Sequence, residues 1–145
     1  MASVRAPLIS REILFGNPSH AMAQASPDGK WLGWLAPYDG VLNIYAAPVA
    51  DPGDARPLTA EKTRPIRFFL WSRDSRQILF INDRDGDENF LLYGVHVVSG
   101  APRNLTPFEK TRVEFVGASH RIPERILIGL NNRDTRWHDV HSLNI

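Results

Sequence analysis

The tetrapeptide Glu-Lys-Thr-Arg occurs twice in this chain, at residues 61–64 and again at residues 109–112, which is a step of 48. Its surroundings keep the same step, because Tyr93 follows Tyr45 by 48 residues and His141 follows Tyr93 by another 48. Repeats of ~40–50 residues built from short, strand-like apolar runs are typical of propeller blades. The repeat therefore predicts small antiparallel sheets set side by side.

The repeat predicts an all-β fold, a partial β-propeller with about three four-stranded antiparallel blades in one domain. We expect a lead strand over residues 8–18 and blades over 19–60, 61–108 and 109–145. Turn residues separate the predicted strands, as in Ser26-Pro27-Asp28-Gly29, where proline presets φ and glycine accepts a positive φ. The third repeat reaches only its third strand, so we expect the last blade to be incomplete.

Two alternatives to this fold stay open. The small residues over 20–25 alternate as in a strand, but alanine is a poor strand former, so a loop or helical turn is the other interpretation. An unrelated α/β domain is the second alternative, although no helical period of 3.6 residues lasts beyond about two turns. Natural propellers close with ~4–8 blades. An open stack leaves apolar surface at its ends, so we expect either a longer parent chain or self-association through open blade edges.

Composition excludes several kinds of partner and site. The chain has 17 basic and 16 acidic residues and a net charge of +1, so electrostatics gives no reason to expect nucleic acid or membrane as a partner. It has no cysteine, which excludes disulfides and thiolate zinc sites. Residues 1–11 lack the apolar core of a signal peptide, and no apolar run approaches ~18 residues. We expect a cytoplasmic protein without a cofactor.

Five stretches together resemble one protein family: Leu8–Pro18, Ser26–Lys30, Asp87–Phe90, Asn104–Pro107 and Asn131–Asp134. They resemble the N-terminal β-propeller of prolyl oligopeptidase family serine peptidases, of the acylaminoacyl peptidase and dipeptidyl aminopeptidase type, with TolB-like blades. The Ser-Pro-Asp-Gly turn alone is shared by many TolB-like propellers, whereas the ordered set along nearly the whole chain is much more specific.

This resemblance implies a non-catalytic role. Proteins of this family have two parts, a propeller that gates access and a C-terminal hydrolase domain that performs the chemistry. The hydrolase domain needs a Gly-x-Ser-x-Gly elbow followed in the chain by Asp and His. The 145 residues contain no such elbow, and Ser99, which precedes Gly100, has Val97 rather than glycine two positions before it. The resemblance therefore implies a scaffold and substrate-access filter, with the parent's hydrolase domain as partner and peptide substrates as indirect ones. The alternative is a stand-alone TolB-like module that binds a protein or ligand.

Three residues are candidate contacts for a peptide at the channel mouth: Arg64, Arg112 and Trp137. Both arginines stand at the entry to a predicted inner strand, where a guanidinium could bind a peptide carboxylate. The alternative for them is hydrogen bonding to turns of the repeat scaffold. Trp137 lies between Arg136 and His138, which makes it the tryptophan most expected to be exposed.

No metal site is expected from the sequence. His138, Asp139 and His141 fall short of zinc-ligand spacing, and a packing role is expected for His141 in the slot held by Tyr45 and Tyr93. The acidic loop over 83–88 does not place glycine and glutamate as a calcium-binding EF-hand requires, which favours a solvated hairpin turn.

Overall fold

The computed structural model describes residues 8–16 and 18–145, which form three consecutive antiparallel sheets. Sheet one contains β1 (Ala21–Ala25), β2 (Trp31–Tyr38), β3 (Val41–Pro48) and β4 (Arg56–Pro57). Sheet two contains β5 (Phe69–Trp71), β6 (Gln77–Asn82), β7 (Leu91–His96) and β8 (Pro102–Asn104). Sheet three contains β9 (Val113–Ser119), β10 (Ile122–Asp134) and β11 (Trp137–Asn144). Each sheet pairs its strands in chain order, which confirms the partial propeller with an incomplete last blade. The blade boundaries after residues 60 and 108 stay predictions, since they lie in loops between the sheets.

The predicted lead strand over residues 8–18 was wrong where the structure describes it. A short helix, α1, spans Arg11–Phe15, and position 17 lies outside the described residues. Ser10 caps this helix by accepting a hydrogen bond from the Ile13 N–H at 3.3 Å, and Glu12 suits the positive end of its first turn. No described strand pairs with this segment, so local capping decides its conformation.

The inner strand of sheet two is shorter than its apolar sequence predicts. The run over residues 66–71 predicts an inner strand that begins at Ile66, but β5 begins at Phe69 and the Ile66 N–H donates to the Leu42 carbonyl of β3 at 3.0 Å. The equivalent Val113 N–H donates to the Phe90 carbonyl at 2.8 Å. Each junction between repeats therefore begins by hydrogen bonding to the preceding sheet, which sets the spacing of successive blades.

Two turns share one hydrogen-bonded design. In the first, the Ser26 hydroxyl donates to Asp28 Oδ1 at 2.6 Å and accepts from the Trp31 N–H at 3.0 Å. In the second, Ser72 and Asp74 repeat both bonds at 2.5 and 3.1 Å. The serine and aspartate side chains thereby satisfy backbone groups that the tight turn leaves without strand partners.

Apolar side chains pack between neighbouring sheets. The layer between sheets one and two contains Leu35, Ile44, Ala46, Leu58, Ile66, Phe69, Trp71, Ile78, Phe80, Val95 and Val97. The layer between sheets two and three contains Leu79, Leu92, Val113, Ile126, Ile128 and Leu130. Burial of these two layers holds the three sheets as a stack.

Aromatic pairs mark equivalent places in the first two sheets. Trp34 of β2 lies opposite Tyr45 of β3 and stacks on it with ring centroids 6.1 Å apart. Phe80 and Tyr93 form the matching pair in sheet two, 5.4 Å apart. In sheet three His141 takes the third-strand position opposite Ile128 but is exposed, so the packing role expected for it does not hold.

The described residues contain no helix with the length and apolar character that crossing a membrane would need.

Candidate functional site

Arg64, one of the three sequence candidates, forms an ion pair with a buried carboxylate. Its Nε lies 2.7 Å from Asp83 Oδ1, and the Asp83 side chain is 1% exposed. The other oxygen of Asp83 accepts from the Glu88 N–H at 3.3 Å. The hydrogen bond to Asp83, followed by its charge, raises the pKa of Arg64. The charge of Arg64 is thus matched inside the scaffold, and a peptide contact for it stays a prediction.

The cleft beside Arg64 is lined by both acidic and basic residues. It has a volume of about 320 Å³ and is lined in part by Glu61, Thr63 and Asp85. The Thr63 hydroxyl donates to Asp85 Oδ1 at 3.3 Å, while burial and the Asp85 charge raise the pKa of Glu61. Within residues 8–16 and 18–145, no group of three His, Cys, Asp or Glu side chains could hold a metal ion.

Arg112, the repeat equivalent of Arg64, has a different environment. The residue 48 positions after Asp83 is Asn131, which carries no charge. Asn131 accepts a hydrogen bond from the Arg112 backbone N–H at 2.6 Å, and the Arg112 guanidinium lies 5.2 Å from the centre of the Phe90 ring. No ion pair to Arg112 occurs in the described part of the chain. The identical tetrapeptide therefore gives one paired and one unpaired arginine.

Trp137 is 63% exposed at the hairpin between β10 and β11. It lies opposite Asp134 in the register, and Asp134 binds the Arg136 guanidinium at 2.8 Å. Its exposure agrees with the sequence expectation. The three candidates have different neighbours, since Arg64 pairs with Asp83, Arg112 lies over Phe90 and Trp137 lies opposite Asp134.

A cavity that the sequence analysis missed lies where the three inner strands meet. This hub cavity has a volume of about 430 Å³, and β1, β5 and β9 all contribute to its lining. Phe68 and Phe115 line it and are 54% and 37% exposed. These two residues are 47 positions apart in the chain, close to the step of the repeat. Their equivalent positions in the repeat could therefore have predicted that they line one cavity.

Polar groups fix the wall of the hub cavity on two sides. The Trp71 indole N–H donates to the Gln24 carbonyl at 3.2 Å, and the Gln24 side-chain amide donates to the Phe69 carbonyl at 3.3 Å. The two bonds join the inner strands of sheets one and two. The wall is therefore held in place without a ligand.

The chain matches curated peptidases over nearly its whole length. It is 45% identical over 138 residues to dipeptidyl aminopeptidase BIII of Pseudoxanthomonas mexicana, a match that covers 95% of this chain and 20% of that protein. The chain resembles the propeller segment of this peptidase family. Dipeptidyl peptidase family member 6 of Caenorhabditis elegans is 29% identical over 144 residues, covering 94% of this chain and 19% of that protein. The chain thus spans about a fifth of the length of the curated relatives it matches.

Solved structures show the same fold at lower identity. A putative TolB from Agrobacterium tumefaciens is 21% identical with a TM-score of 0.60, and the match covers 90% of this chain and 47% of that one. The β-propeller domain of the Trilobed protease from Pyrococcus furiosus is 20% identical with a TM-score of 0.51, covering 88% of this chain and 43% of that one. No family model matches the chain.

Proposed function

We propose that this chain is the non-catalytic propeller portion of a serine peptidase of the prolyl oligopeptidase family, of the dipeptidyl aminopeptidase type. Its role is that of a scaffold and substrate-access filter for a hydrolase domain elsewhere in the parent protein. The observation that carries this proposal is the 45% identity over 138 residues to a dipeptidyl aminopeptidase.

A filter needs a wall that does not open easily, and bonds between sheets supply it. Arg56 of sheet one donates from its guanidinium to the carbonyls of Val97 and Val98, in the turn that follows β7 of sheet two, at 2.8 and 2.6 Å. Such charge-assisted bonds add to the apolar layer between the sheets. A stack tied in this way passes small peptides along its hub and holds back folded proteins.

Substrates of graded length test the filter in the parent peptidase. Replacing Arg56 by alanine should loosen the wall, so that long peptides are cleaved faster while kcat/KM for a dipeptidyl chromogenic substrate stays unchanged. Arg103→Ala is the control, because Arg103 is an exposed arginine of β8 whose side chain makes no hydrogen bond or ion pair among the described residues. If Arg56→Ala leaves the length preference unchanged, this segment does not act as a filter.

The lack of catalysis in this chain belongs to the same proposal. Its support is that no Gly-x-Ser-x-Gly elbow occurs in the 145 residues. The purified chain should not hydrolyse dipeptidyl or acylaminoacyl chromogenic substrates. Turnover that copurifies with the chain through successive columns would overturn this.

A stand-alone TolB-like binding module is the second candidate. The structural likeness to a TolB protein favours it, although at 21% identity that likeness shows the fold alone. The coding sequence after Ile145 separates the two: a nucleophile elbow in the same frame supports the peptidase, and further propeller repeats followed by a stop codon support the module.

The cytoplasmic location is part of the proposal too, and cell fractionation would test it.

A further inference from the structure

The hub cavity combines an apolar wall with an arginine and a histidine at its rim. Phe68 and Phe115 present exposed aromatic surface on its sides, and Leu70 is half-buried in the wall between them. Arg73 and His120 line the same cavity and are exposed. Neither makes a hydrogen bond or ion pair within the described residues. No Asp or Glu lies among the described residues that line the cavity.

The acidic residues of the neighbouring turns are directed elsewhere. Asp28 accepts from the Ser26 hydroxyl and the Lys30 N–H, at 2.6 and 3.1 Å. Asp74, next to Arg73 in sequence, accepts from the Ser72 hydroxyl at 2.5 Å and from a backbone N–H of its own turn at 3.0 Å. These carboxylates accept hydrogen bonds within their own turns, so the guanidinium of Arg73 has no charge partner among the described residues at the cavity rim.

We propose that the hub cavity binds the carboxyl end of a peptide whose last side chain is aromatic or large and apolar. The aromatic walls contact that side chain, and Arg73 donates hydrogen bonds to the terminal carboxylate. A cavity of about 430 Å³ falls in the size range of small-molecule sites, which typically combine apolar walls with a few polar groups. The proposal rests on the cavity alone and holds for either candidate function.

Two probes that differ in one charge test it on the purified chain. N-acetyl-L-phenylalanine carries the carboxylate, and N-acetyl-L-phenylalaninamide does not. Titration is followed by nuclear magnetic resonance of the Trp71 indole N–H, which lies in the cavity wall. A charge-assisted hydrogen bond contributes about 1.5 kcal/mol or more, so the acid should bind about tenfold tighter than the amide.

Variants of single residues show which side chains cause the preference for the acid. Arg73→Gln should remove the preference for the acid, while Arg76→Gln, an arginine of the same turn that does not line the cavity, should keep it. Phe68→Ser should weaken binding of both probes. Equal affinity for acid and amide, an unchanged preference in Arg73→Gln, or acetate binding as tightly as N-acetyl-L-phenylalanine would each overturn the proposal.

Discussion

The backbone N–H of Asp28 donates to the hydroxyl of Ser75 at 3.0 Å, which joins the first turn of sheet one to the equivalent turn of sheet two. Ser75 is buried and has a φ of +64°, at the place where the first turn has Gly29 with a φ of +71°. A serine in this left-handed region costs about 1–2 kcal/mol relative to glycine. The hydroxyl offsets this cost by tying two blades together.

Ser75→Ala should destabilise the chain by about 0.5–1.5 kcal/mol, because it keeps the strained backbone and removes the acceptor of the Asp28 N–H. Ser75→Gly should cost less, since glycine relieves the strain while losing the same bond. Urea unfolding followed by tryptophan fluorescence measures both. Equal losses for the two variants would contradict the account of strain.

Asp28 should contribute to acid sensitivity. The hydrogen bond from the Ser26 hydroxyl, followed by that from the Lys30 N–H, lowers the pKa of Asp28 below its usual 3.8. A lowered folded-state pKa means that the stabilisation is present above pH 3.8 and is lost as the pH falls through the folded value. Asp28→Asn should therefore flatten the dependence of the urea midpoint on pH below about 4.

Arg64 and Arg112 should differ in their contribution to stability despite their identical tetrapeptides. Arg64→Ala leaves the Asp83 carboxylate buried and unpaired, a change that typically costs about 3–5 kcal/mol. Arg112→Ala removes an exposed cation from the face of Phe90, which should cost about 0.5–1 kcal/mol. Guanidinium unfolding of both variants makes the comparison. A loss for Arg112→Ala as large as that for Arg64→Ala would contradict the assigned ion pair.

Gly33 allows sheets one and two to approach each other closely. A Cβ at this position would lie 3.1 Å from both Ile78 Cδ1 and Trp71 Cζ2. Gly33→Ala should therefore destabilise the chain by about 1–3 kcal/mol through overpacking. Gly117→Ala is the control, because its Cβ would meet nothing within 4 Å. Thermal unfolding should show a lower Tm for Gly33→Ala alone.

We propose that copies of the chain associate through the open edge of sheet three. Among the described residues, sheets one and two end in outer strands of two and three residues, whereas β11 is an edge of eight residues. Val140 on β11 is 63% exposed, and long edges of this kind pair with other strands. Val140→Lys should abolish association measured by light scattering at ~100 μM, since an edge lysine opposes strand pairing. Val98→Lys, at a valine 60% exposed in a turn, should not. A wild-type monomer at that concentration would rule this association out.

The local hydrogen-bonded units of this fold could be predicted from the sequence, whereas the segment before them could not. Ser26 and Ser72 each satisfy backbone groups within their own turn, so a few adjacent residues encode the bend. Tyr45 and Tyr93 keep the repeat step because each stacks within its own sheet. The α1 segment escaped prediction because five apolar and charged residues suit a strand or a helix, and the cap at Ser10 decided.

Residues within a single repeat are enough to predict that this chain forms a row of small antiparallel sheets, since strand period, turn chemistry and repeat length all act within about 50 residues. Which charges are matched and where a cavity opens could be seen only in the folded structure. Arg64 pairs with Asp83, which lies 19 residues later in the chain. Phe68 and Phe115 line the same cavity although they are 47 residues apart. These relationships depend on how separate strands and sheets pack, and no local pattern of residues specifies that packing.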